Sequence, residues 1–169
     1  MAIAKLGKPT DQRVALVRNQ VTSLLWYGKI ETTLARAKSV QRLAEKLITL
    51  AVNSYEDIVT VEKEVKDVKG KLVKKEFVND GVKKLNARRK IMTTVYDIQE
   101  QRADKETKAN FVARTKDINH PLVEKIFNVY APKYAQRAKE VGTGGGYTRI
   151  IKLGRRNGDN AEVVIIELI

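Results

Sequence analysis

The sequence predicts an α+β fold, with helices packed on one face of a small mixed or antiparallel sheet. Residues 10–52 hold two stretches with apolar side chains at helical spacing, and residues 121–130 hold a third. Residues 147–168 hold two runs rich in β-formers around a loop of turn residues. A chain of 169 residues with 43% hydrophobic composition reads as one domain with a modest core.

Thr10 or Asp11 is placed to cap the first helix by accepting bonds from its free amides. Val14, Val17, Val21, Leu24 and Leu25 follow on one face, with Arg13, Arg18 and Gln20 off it. Gly28 is the natural stop, because glycine enters the left-handed region without steric cost. Ile30 to Thr33 reads as a short extended link. Thr33 is a candidate cap for a second helix reaching about Val52, with Val40, Leu43, Ala44, Leu47 and Ile48 as its stripe.

Residues 53–84 change character. Val59, Val61, Val65, Val73, Phe77 and Val78 stand among lysines and glutamates, and a turn near 67–71 with Gly70 would join two strands into a hairpin. A charged helix is the rival reading. Residues 85–98 read as a helix with Ala87, Ile91, Val95 and Ile98 inward, which the polar stretch 99–118 extends before looping. His120 is a candidate cap ahead of Pro121, a favoured first helical residue. Leu122, Ile126, Phe127 and Tyr130 follow as a core stripe, Pro132 is expected to break the run, and 134–139 add a helical turn. Residues 142–146 form a glycine connector. Strands at Tyr147–Leu153 and Ala161–Leu168 flank the loop 154–160 as an antiparallel pair.

The charge is the first functional clue. Thirty-three Lys and Arg against 20 Asp and Glu give +13 and attract polyanions, of which nucleic acid is the commonest in a cell. Residues 1–52 carry 9 basic and 3 acidic side chains, whereas residues 53–118 carry 16 and 12, as a solvated surface does. No apolar run approaches the roughly 18 residues of a membrane span, and the opening lacks the apolar stretch of a secretory signal. Cysteine is absent and histidine occurs once, which leaves no thiolate metal site and little acid–base chemistry, so no cofactor is expected. The segment 142–146 lacks the Gly-Lys-Ser/Thr ending of a nucleotide loop and leads into a strand.

Three basic groups are candidates for binding RNA, whose folded forms are recognised through shape, backbone and 2′-hydroxyls. The C-terminal group is Tyr147, Thr148, Arg149, Lys152, Arg155 and Arg156. There the tyrosine is suited to stacking on a base and the threonine to donating to phosphate. The second is Arg13, Arg18, Lys38 and Arg42, on the polar faces of the first two helices. The third is Arg88, Arg89 and Lys90, and Lys133 and Arg137, four apart, would extend the surface. The competing reading of each is a solvated face. A free nucleic-acid-binding regulator is the alternative function, but the link 28–33 is longer than a helix-turn-helix turn. An RNA-processing enzyme lacks a recognisable catalytic cluster.

Two runs are specific. “GKIETTLARAKSVQRLAEKLITLA” spans 28–51, and “GGYTRIIKLGRRNGDNAEVVIIEL” spans 145–168. With “LNARRK” and “LVEKIFNVYAPKYAQR” between them, they resemble family seventeen of the bacterial large-subunit ribosomal proteins. The likeness covers roughly 8–52, 85–98 and 121–168. Members of that family commonly open with a tail rich in Arg, Lys and His, whereas only Lys5 and Lys8 precede Pro9 here. Residues 53–84 and 99–118 read as insertions, the first of them the charged hairpin. The resemblance implies a non-catalytic structural protein of the cytoplasmic ribosome, near the peptide exit region. It also implies large-subunit rRNA and neighbouring large-subunit proteins as partners, with no membrane and no small-molecule substrate.

Overall fold

A computed structural model describes residues 4–66, 72–116 and 118–169. Helix α1 (Thr10–Tyr27) starts directly after Pro9, with no side-chain cap. Asp11 in its first turn favours the positive end of the helix dipole. It stops at Gly28, whose φ of 82° is left-handed and whose N–H donates to the Leu24 carbonyl at 2.8 Å. Strand β1 (Lys29–Thr33) follows at once, then α2 (Leu34–Val52). Thr33 occupies the cap position of α2 without a side-chain bond.

The expected hairpin is present, as β2 (Ile58–Lys66) antiparallel to β3 (Leu72–Asp80). The turn placed near 67–71 lies outside the described residues. Helix α3 (Val82–Met92) starts earlier than its periodicity suggested, because the Asp57 carboxylate accepts the Lys83 and Lys84 amides at 2.8 and 3.4 Å. It also ends earlier. The Thr93 hydroxyl donates to the Lys90 carbonyl at 2.8 Å, and the Tyr96 amide donates to Thr22 Oγ1 on α1 at 3.0 Å, drawing the chain off the helix axis. Residues 99–118 therefore do not extend α3. Residues 99–107 run irregularly to a separate helix α4 (Lys108–Thr115), capped by Thr107.

Pro132 does not break its helix. Pro121 opens α5 (Pro121–Lys125), a π-helical turn spans Ile126–Tyr130, and α6 continues over Ala131–Val141. The Ala131 amide donates to the Ile126 carbonyl five residues back. That widened turn seats the proline in the first turn of α6, where its missing N–H costs no bond. His120 stands at the start of α5 without capping it; its Nδ1 lies 3.4 Å from Asp97 Oδ1.

Strands β4 (Thr148–Arg155) and β5 (Glu162–Leu168) complete an antiparallel sheet in the order β1-β5-β4. Ile30 faces Ile166 and Thr32 faces Val164 on one side; Ile150 faces Ile166 and Lys152 faces Val164 on the other. A bulge between Lys152 and Gly154 bends the outer strand, with Gly154 at φ 122°. The sheet lays Val164 and Ile166, both 0% exposed, against α2 and α1. Val21, Leu24, Leu25, Val40, Ala44, Leu47 and Ile48 pack there with Ile126, Phe127 and Tyr134. Val14, on the same stripe of α1, is 41% exposed, because the first turns of α1 overhang the core.

Candidate RNA-binding surface

The overhang of α1 makes the site. The first half of α1 and the outward side of α2 enclose a groove of about 820 Å³. Its floor is apolar, from Val14, Val17, Leu34, Ala35 and Leu43, and its rim carries Arg13, Arg18, Lys38, Arg42 and Lys46. The spacing explains the arrangement. Lys38, Arg42 and Lys46 are successive i, i+4 positions on α2, so they form one row beside Ala35, Ser39 and Leu43. Among the described residues no carboxylate lines the groove, and none of the five cations stands in an ion pair. Like charges held together on two packed helices, with none neutralised by an ion pair among the described residues, make a local field suited to a polyanion. The nearby Glu162 carboxyl, held below its ordinary value mainly by the bond from Lys152 and in part by the charge of Lys38, already pairs with Lys152.

The other candidates are differently placed. At the C-terminal hairpin Arg149 pairs with Glu167 at 2.5 Å, Lys152 with Glu162 at 2.8 Å and Arg156 with Asp159 at 2.5 Å. The Arg156 guanidinium and the Ala161 amide pull the Asp159 carboxyl down to about 2. These pairs are exposed and individually weak, so phosphate can compete for the cations. Arg155 is exposed and among the described residues unpaired. Tyr147 is 4% exposed, with its ring 4.8 Å from that of Tyr134, so it offers no free face to a base. The Thr148 hydroxyl is also buried, donating to Glu45 Oε1 at 2.8 Å and accepting from Gln41 at 3.0 Å. Tyr147 and Thr148 fix strand β4 to α2 and α6.

Arg88 is a structural tie. Its guanidinium, 19% exposed, reaches Asp80 at 2.7 Å and Glu124 at 2.5 Å and lies over the Phe127 ring. Arg89 and Lys90 point to solvent. Arg137 donates to the carbonyls of Gly145 and Gly146 at 2.6 and 3.0 Å and lies over Tyr134 and Tyr147, so it organises the glycine connector. Lys133 is exposed, its ammonium 5.4 Å from the Tyr134 ring. Sequence reasoning missed Lys46 and the apolar floor. The four-residue step from Arg42 was the signal for Lys46; the exposure of Val14 had none.

Fold and surface together define a small basic α+β protein with a cationic groove that no carboxylate lines among the described residues. Among the described residues no group of acidic or histidine side chains could hold a metal, and no helix is long and apolar enough to cross a membrane. The family profile of ribosomal protein L17 matches residues 16–169. Relatives with the name large ribosomal subunit protein bL17 match almost end to end. The protein of Lachnospira eligens is 41% identical, covering 98% of this chain and 97% of its own. That of Clostridium acetobutylicum is 39% identical, covering 98% and 95%, and that of Clostridium tetani 38%, covering 98% and 96%. The chain belongs to the ribosomal protein L17 family.

Proposed function

We propose that this chain is a non-catalytic structural constituent of the large ribosomal subunit, which holds folded rRNA chiefly through the groove between α1 and α2. The family membership supports the setting, in the cytoplasmic ribosome, with rRNA and neighbouring large-subunit proteins as partners. Placement beside the peptide exit belongs to the same proposal and rests on the resemblance of the two specific runs. The observation that carries the groove is its five cations, none in an ion pair among the described residues, around an apolar floor.

The mechanism is electrostatic. Ammonium and guanidinium groups neutralise phosphates and release condensed counterions, while the floor gives van der Waals contact to ribose or an unstacked base. Arg13, Arg18, Lys38, Arg42 and Lys46 bind first. Arg89, Lys90, Lys133, Arg149, Lys152, Arg155 and Arg156 form an outer, exposed set that extends the field. A helix-turn-helix regulator fits the geometry poorly, since β1 is a sheet strand between α1 and α2 rather than a short turn. Residues 53–84, which hold the hairpin, and residues 99–118 are read as insertions into one domain.

The test is filter binding of the full chain to large-subunit rRNA across a salt series. Lys38→Ala, Arg42→Ala and Lys46→Ala together should lower the salt slope by about one for each phosphate no longer neutralised, roughly two to three in all. In cells the triple variant should be depleted from large subunits on sucrose gradients. An unchanged slope with normal incorporation would rule out the groove as the RNA site.

A further inference from the structure

Strands β2 and β3 form an arm that the core does not cover. Nine residues per strand at about 3.4 Å each carry it on the order of 30 Å from its base. Among its described residues only Val61, Val65 and Asp80 are even half-buried. The base is held firmly. The Asp57 carboxylate caps α3, Gly81 donates to the Asp57 carbonyl at 2.8 Å, and Asp80 bonds Lys84 at 3.0 Å and Arg88 at 2.7 Å.

The register sorts the arm into two unlike faces. Val59, Val61, Lys63 and Val65 share one with their partners Asn79, Phe77, Lys75 and Val73. Ile58, Thr60, Glu62, Glu64 and Lys66 share the other with Asp80, Val78, Glu76, Lys74 and Leu72. The first face has two lysines and no carboxylate among the described residues. The second has Glu62 directly opposite Glu76 and only one opposite-charge pair, Glu64 with Lys74. Directly opposed like charges destabilise a pair of strands, and a two-stranded hairpin has little stability to lose. A merely solvated arm would gain from mixing the signs. Here Lys63 is set against Lys75, and beside them the Phe77 ring is 40% exposed, 6.0 Å from the Lys63 ammonium.

We propose that the Lys63–Lys75–Phe77 face of this arm is a second RNA-contact site, separate from the groove. It takes a phosphodiester between the two ammonium groups and a base or ribose against Phe77 and Val73. The combination of phosphate ligands with an exposed aromatic ring on a sheet face is what nucleotide stacking requires. The opposite face mixes Glu62, Glu64 and Glu76 with Lys66 and Lys74 and is the less favourable side for phosphate, so the arm has a preferred orientation on its RNA. The inference rests on the chain being an rRNA-binding constituent of the large subunit.

The test uses the full chain and deproteinised large-subunit rRNA. Lys63→Gln with Lys75→Gln should weaken binding about five- to tenfold and lower the salt slope by about one. The same change should leave thermal stability equal or higher, because it removes a repulsion. Glu62→Gln with Glu76→Gln relieves the matching repulsion on the other face and should leave affinity unchanged or improved. A benzophenone side chain at position 73, irradiated in assembled large subunits, should tag rRNA. A lysine double variant that binds like the parent, or a crosslink to a ribosomal protein instead of RNA, would overturn the proposal. If the parent chain retains no rRNA, the ribosomal reading itself fails and the arm fails with it. If only the groove variants lose affinity, the arm alone is refuted.

Discussion

Replacing Arg88 with alanine separates a structural role from an RNA-binding one. The guanidinium makes two charge-assisted bonds, to Asp80 at 2.7 Å and Glu124 at 2.5 Å, and covers Phe127 with 5.2 Å from its central carbon to the ring centroid. Bonds to charged groups contribute about 1.5–3 kcal/mol each. Asp80 and Glu124 are 22% and 33% exposed and regain some water when abandoned, which favours the low end of that range. A total loss of about 2–4 kcal/mol follows, or roughly 5–15 °C in Tm for a chain of this size. Thermal unfolding followed by circular dichroism at neutral pH reads it directly. Acid adds a second handle. Burial pushes the Asp80 carboxyl up, but the bonds from Lys84 and Arg88 outweigh it and hold it below its ordinary value. Its contribution is therefore complete above the ordinary carboxylate range and fades as pH falls through the depressed value. Arg88→Ala should flatten that acid dependence. An unchanged Tm together with a lower rRNA affinity would show that Arg88 is a phosphate ligand and that the tie is incidental.

The triple change Arg149→Ala, Arg155→Ala and Arg156→Ala should weaken rRNA binding in filter assays without moving Tm by more than a degree or two; it should cost less affinity than the Lys38, Arg42 and Lys46 triple, because two of its three arginines already have carboxylate partners. Tyr147→Ala should destabilise by about 3–5 kcal/mol in denaturant titration, as for other buried aromatics, with the salt slope of RNA binding unchanged wherever the variant is folded. Gly28→Ala should cost about 1–2 kcal/mol of stability, since φ at that position is 82° and an alanine there is strained; equal midpoints for variant and parent would refute the left-handed stop.

Much of the fold was legible because it rests on local periodicity. The stripes through Val21, Leu25, Val40 and Ile48 specify α1 and α2, and Gly28 marks the boundary between α1 and β1. The errors came from contacts distant in sequence or from backbone adjustments without a composition signature. Thr22 draws Tyr96 away from α3, 74 residues downstream, and a widened turn accommodates Pro132. The site was legible in the same measure. Lys38 and Arg42 follow from helical spacing, but a basic residue shows nothing of whether its charge is already engaged. Arg88 and Arg137 look like free cations in the sequence and are tied to Glu124 and to the glycine connector only in three dimensions. Tyr147, apparently an exposed platform beside glycines, is core because α6 presents Tyr134 to it.

The strand order β1-β5-β4 places the latest-made of the three strands at the centre. Because β1 and β4 touch only through β5, neither has a partner in the sheet until β5 has been made. The two ladders close together: the Leu168 amide donates to Gly28 at 2.8 Å and the Ile169 amide to Tyr147 at 3.0 Å. Pairings that span 130 residues or more form slowly. A nascent polypeptide of this kind can thus expose its cationic helices to RNA before its sheet exists, and docking of those helices would lower the entropy cost of the final closure.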